Sequence, residues 1–208
     1  MASMTRLVCA VVAAFVLWGL MFSPLTAPHV NFWALMSAAA VILVCVSLSS
    51  SAAWRRMRFS AADAASGALI AAALWAAFWL GDALSALMFP FARPEVQAIY
   101  AIREGLPPWA LTLLLMLLIG PAEELFWRGY VQDTLSRRFS PNIGFAIATL
   151  LYTAVHLPSC NFMLVMASFV AGGAWGLAYR LFPRRLAAIV LSHALWDAAV
   201  FIWFPIRG

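Results

Sequence analysis

Leu111-Thr-Leu-Leu-Leu-Met-Leu-Leu-Ile-Gly-Pro-Ala-Glu-Glu-Leu-Phe-Trp-Arg128 is the stretch on which the reading of this chain turns. From Leu111 to Ala122 it carries no charge, and then two adjacent carboxylates, Glu123 and Glu124, stand in the same apolar run, with Arg128 one helical turn on. A charge at the centre of a membrane helix costs about 2.5–3.5 kcal/mol on insertion scales, and neighbouring like charges repel as well. A greasy helix that keeps such a pair turns it towards protein or a wet cavity, never towards lipid. The stretch therefore implies a bundle of membrane helices with a polar interior, and it marks where that interior lies.

Composition agrees. Of 208 residues 65% are hydrophobic and only 10% charged, far from the roughly one quarter charged of a soluble domain. The expected fold class is all-α, a polytopic membrane helix bundle of six to seven transmembrane helices, with residues 1–208 as one integral membrane domain. The net charge of +5 sets 13 arginines, with no lysine, against eight acidic residues, and the arginines sit in short clusters between apolar runs as topology signals do. No basic patch lies on a solvated stretch, so nucleic acid is excluded as a partner. Cys9, Cys45 and Cys160 are scattered and form neither a disulfide framework nor a CxxC metal pair.

Seven apolar segments can be marked, each near the ~20 residues needed to cross ~30 Å of hydrocarbon. They run over about 7–25, 30–48, 67–89, 109–137, 142–157, 162–181 and 186–204. The first contains Trp18 and lacks a clear A-x-A site, so it is expected to stay as an uncleaved first helix. Ser140-Pro141 suits a helix start, with Ser as N-cap and Pro in the first turn. Residues 91–106, carrying Arg93, Glu95, Arg103 and Glu104, are expected as an interfacial helix or loop without chemistry. With the N-terminus in the cytoplasm, nine arginines fall inside, against Arg93, Arg103 and Arg207 outside. The positive-inside rule then supports seven crossings, of which the short 142–157 segment is the weak one.

Inside the apolar segments seven ionisable groups remain: Asp82, Glu123, Glu124, Arg128, His156, His193 and Asp197. Glu124 and Arg128 are four apart and share a helix face, which allows an ion pair, while Glu123 is turned ~100° away. Tyr152 and His156 repeat the four-residue spacing, and so do His193 and Asp197. Counted from the turn near 138–141, Glu123 and His156 both lie ~22 Å along their helices and can meet. His193 lies only ~12 Å beyond Arg185, about two turns short, so either the last helix begins deeper or the site is nearer that side. Asp82 fits no set and is expected to be a packing or helix-end group.

Glu123-Glu124-Leu-Phe-Trp-Arg128 resembles the EExxxR motif of the CAAX-protease and bacteriocin-processing family of intramembrane endopeptidases. Tyr152-Thr-Ala-Val-His156 resembles its FxxxH motif with Tyr for Phe, and His193-Ala-Leu-Trp-Asp197 resembles its HxxxN or HxxxD motif. The three occur in family order, and the resemblance covers about residues 105–205. It implies hydrolysis of a peptide bond in or beside the membrane, in a protein or peptide substrate. Glu123 and His156 would activate water, Glu124–Arg128 would position them, and His193 with position 197 would bind the oxyanion.

An ionised Asp197 cannot donate a hydrogen bond, so it either orients His193 or ligates a metal. Glu123, His156 and His193, with or without Asp197, would make an acceptable zinc set open to one water. Metal-free glutamate catalysis and a zinc site thus both stand. The other readings are a non-enzymatic membrane immunity or scaffold protein, and a haem protein using His156 and His193. The compact size and Arg-only basic composition point to a bacterial plasma (inner) membrane, where bacteriocin leaders, sorting-signal tails or membrane regulators would be the substrates.

Overall fold

The periodicity of the first helix shows how this chain sorts lipid from protein. In α1 (Met4–Phe22), Leu7, Ala10, Ala14, Trp18 and Met21 are buried at spacings of three and four, whereas Val8, Val12, Val16 and Leu20 form an exposed row. The inner stripe, with two alanines and a tryptophan at its centre, packs on protein, and the outer row is branched and faces lipid. The structure, a computed structural model, describes residues 4–50 and 54–206, the side chains of Ser50 and Arg56 excepted. Arg207, assigned above to the outer side, lies outside the described residues. No strand occurs among the described residues.

α2 (Phe32–Ser50) follows an Asn31 cap whose Oδ1 accepts the Ala34 N–H at 3.0 Å. α3 (Ala61–Met88) starts with a reciprocal capping box between Ser60 and Asp63. A short α4 (Ala92–Ala101) leads through Gly105, at φ +99°, to the long α5 (Pro108–Arg138). α6 (Pro141–Ala154) starts as the sequence anticipates, with Ser140 Oγ accepting the Ile143 N–H and Pro141 in the first turn. α7 (Phe162–Leu181) is capped by Asn161, and α8 (Leu186–Trp203) completes the order.

Among the described residues six helices, all but α4 and α6, are long and apolar enough to cross a membrane, so the chain is a multi-pass membrane protein. α6 corrects the seven-crossing expectation. Its 14 residues rise about 21 Å, short of ~30 Å of hydrocarbon, and Pro158 stops it from being extended.

α5, α6 and α7 pack side by side in antiparallel order. Ser136 meets Gly144 where α5 turns into α6, and Asn142 meets Arg180 at the same end of α6 and α7. Small residues set these distances. A Cβ on Gly144 would lie 2.5 Å from the Ser136 nitrogen, and one on Gly172 would lie 2.5 Å from the Tyr152 ring. α3 runs parallel to α8, pinned by Asp63 to Arg185 at 2.9 Å. The first turns of α8, Leu186 to Val190, are buried, so the last helix begins inside the bundle. That answers the two-turn shortfall of His193: its helix starts deeper, and the site need not move.

Candidate active site

Pro121 has no N–H and would disrupt a regular helix at the turn before the carboxylates. α5 absorbs this with a wide π turn over Leu115–Ile119, after which the Gly120 N–H bonds the Leu115 carbonyl. A second π turn spans Trp127–Gln132. Such turns shift the phase of the helix face, and here they flank the segment Gly120–Phe126 that carries both glutamates. Gly120 also permits contact with α8, since a Cβ there would come within 2.9 Å of the Ala194 Cα. This close crossing brings His193 down onto Glu124.

Glu124 is fully buried, and its Oε1 accepts from Arg128 Nη1 at 2.8 Å and from His193 Nδ1 at 2.7 Å. The ion pair expected at four-residue spacing is present, and the third member, His193, is an addition to it. Arg128 gives its other nitrogen, Nη2, to the Gly172 carbonyl at 2.8 Å and lies over the Tyr152 ring, 4.8 Å from its centroid. Gln132, the next residue on the stripe, donates to the Gly176 carbonyl at 2.8 Å. A polar seam thus zips α5 to α7 through the protein interior.

His193 is held on three sides. Its Nε2 lies 3.4 Å from Asp197 Oδ2, and its ring stacks on Trp175 at 3.9 Å and 14°. Trp175 is itself fixed by donating to Ser192 Oγ at 3.1 Å. An ionised carboxylate only accepts, so a ring set between two of them presents N–H to each. The Nε2–H, at the longer distance, is the loosely held one.

Glu123 has a different environment. It is 6% exposed, the Tyr152 hydroxyl lies beside it, and its Oε2 has no hydrogen-bond partner among the described residues. Together with Tyr152, His156, His193 and Asp197 it lines one cavity of about 580 Å³ whose remaining wall is mostly apolar. His156 joins that wall without bonding Glu123. Its Nδ1 bonds the Tyr152 carbonyl at 2.8 Å, and its Nε2 accepts from the Trp18 indole at 3.3 Å. The direct meeting of Glu123 and His156 expected from depth is therefore corrected to a shared wall, because backbone and indole take both ring nitrogens. Asp82, expected as a packing group, is buried on the same cavity wall, 3.8 Å from Arg93 of α4.

The zinc set fails the test of its donors. Three of the four ring nitrogens of His156 and His193 are hydrogen-bonded, and the fourth faces Asp197. Among the described residues no three His, Cys, Asp or Glu side chains are grouped to hold a metal ion. The residues do not fit the ion in this arrangement, and no step is derived through one.

Several contributors had no signal in the sequence. Trp18, Trp175 and the Gly172 carbonyl act through distant contacts, and a tryptophan in a membrane helix reads as packing. Residues 91–106 carry no motif in the sequence, yet α4 lines the cavity with Val96, Ile99 and Tyr100. It also ties down its neighbours: Glu95 Oε2 accepts the Met163 N–H at the start of α7, Tyr100 donates to the Val200 carbonyl, and Arg103 donates to the Phe201 carbonyl. Those carbonyls lie in the π turn Ala199–Trp203, which needs outside donors.

Residues 105–199 match a family model described as type II CAAX prenyl endopeptidase Rce1-like. No curated protein and no solved structure matches the chain.

Proposed function

Since residues 105–199 belong to the Rce1-like family of type II CAAX prenyl endopeptidases, we propose that this chain hydrolyses a peptide bond at the Glu123 cavity by a metal-free glutamate mechanism. The observation that carries the reading is the buried, unpartnered Glu123 Oε2 on the wall of a cavity shared with His156 and His193. A carboxylate so placed accepts a proton from a water in the cavity, with the Tyr152 hydroxyl and the His156 edge bounding the same space. The hydroxide attacks the scissile carbonyl, and the His193 Nε2–H turns from Asp197 to the developing oxyanion, as a preorganised donor does. Glu123 then passes its proton to the leaving amine. Glu124, bonded to both Arg128 and His193, holds His193 as a donor, so the adjacent carboxylates divide into a base and a holder.

The mostly apolar wall suits an extended apolar segment of a membrane protein or peptide, such as a bacteriocin leader, a sorting-signal tail or a membrane regulator. The chain is proposed to sit in a bacterial inner membrane with its N-terminus in the cytoplasm. Glu123→Gln, which keeps size and removes the base, tests the reading with candidate membrane peptides in proteoliposomes and on the cellular phenotype. Cleavage should fall by about 10²–10⁴-fold, the range of general-base catalysis. Undiminished cellular function in that variant would replace the protease reading with a scaffold or immunity role. Chelation should leave cleavage unchanged, and a loss restored by added zinc would overturn the metal-free step.

A further inference from the structure

Trp18 lies on α1, outside the matched residues 105–199 and outside every motif, yet it makes the only side-chain hydrogen bond to His156 among the described residues. An indole N–H can donate and cannot accept, so a His156 nitrogen 3.3 Å from it is held as an acceptor. The other nitrogen faces the Tyr152 carbonyl, which accepts only, at 2.8 Å. The two partners allow one pattern: proton on Nδ1, lone pair on Nε2. Rings close the remaining sides, with Trp18, Phe22 and Tyr152 all within 6.4 Å of the imidazole centroid. The placement is built from both chain segments. Gly19 seats α1 against Pro158, two residues past His156, and Thr26 ties the end of α1 by donating to the Gly19 and Leu20 carbonyls.

We infer that Trp18 is a positioning residue that fixes His156 as the neutral Nδ1–H tautomer, so that the first helix holds the motif histidine in one protonation pattern and one orientation on the cavity wall. The inference rests on the proposed protease reading for its consequence in turnover, but its first test needs no substrate.

Protein carrying ¹⁵N-labelled histidine in nanodiscs, with His156 assigned through His156→Gln, reports the tautomer directly. A protonated Nδ1 and a bare Nε2 are expected, and in Trp18→Phe, which keeps a ring and removes the donor, the two nitrogen signals should move towards each other. Cleavage by Trp18→Phe should show kcat down about tenfold, one hydrogen bond's worth, with KM nearly unchanged because Trp18 does not line the cavity. A native His156 protonated on Nε2, or a Trp18→Phe spectrum identical to native, would overturn the assignment. Should Trp18→Phe fail to fold, the native spectrum alone still decides. Retained cleavage in Glu123→Gln would sink the protease reading and leave this spectrum untouched, so the two failures are distinguishable.

Discussion

Two neighbouring glutamates in this chain have opposite dependences on their surroundings. Each leaves its Oε2 without a hydrogen-bond partner among the described residues, but Glu124 Oε1 binds both Arg128 and His193, whereas Glu123 makes no ion pair with either. Glu124→Ala would strand Arg128 without a counter-charge, and removing one partner of a buried pair destabilises by about 3–5 kcal/mol. Glu123→Gln should change stability by less than about 1 kcal/mol, since no protein hydrogen bond is lost at Oε2. Unfolding of purified protein in mixed micelles checks the contrast, and equal losses in both variants would contradict it. Arg128→Lys should behave more like Glu124→Ala than a conservative change, because a point charge cannot serve Glu124 and the Gly172 carbonyl from one plane. Helical phase in the sequence already separates the two glutamates. It does not reveal that His193 joins Glu124, because that depends on how deep α8 starts.

At the scale of elements, the site depends on where helices are allowed to touch. Gly120→Ala would drive a methyl group into the α8 backbone at Ala194, a contact that side-chain rearrangement cannot relieve. The expected cost is about 1–3 kcal/mol of stability, as for overpacked cores. Prising Glu124 from His193 by even 1 Å should lower turnover by about 10²-fold. Normal activity in Gly120→Ala would show that the crossing is looser than drawn. Element identities were legible from apolar runs, from the Ser140-Pro141 start and from the four-residue spacings. The π turns were not, because an extra residue per turn leaves an all-apolar run such as Leu115–Ile119 unchanged in character. Pro121 inside a helix was the one cue that the register must adjust. The reach of α6 was only partly legible, since an apolar run does not say where the backbone stops being helical.

For the whole molecule, α6 and α7 form an antiparallel hairpin, which in the proposed topology leaves and returns on one side, so the short α6 would not alter on which sides the termini lie. In the proposed topology the remaining five long helices, α1, α2, α3, α5 and α8, cross an odd number of times, which would put the termini on opposite sides. Reporter fusions should therefore read cytoplasmic at the N-terminus and external at the C-terminus; both on one side would overturn the proposed topology. The six long helices are among the seven apolar segments marked in the sequence, and the polar interior was legible from the charges that stand within them. The contribution of the first hundred residues to the site was not legible, because their side chains there are mostly apolar and carry no motif.

Gly105 stands in the exposed turn between α4 and α5, where the matched segment begins, and few bonds cross it in sequence while many cross it in space. Trp18 to His156, Trp33 to Ile102, Trp75 to Phe204, and Tyr100 and Arg103 to the end of α8 tie α1–α4 to one another and to the later helices. The molecule is in this sense two interlocking pieces, one bearing the carboxylates and the other forming the vessel in which they can hold water. A gene split at Gly105 should yield halves that co-purify when made together, and the later half alone, with every motif intact, should be inert.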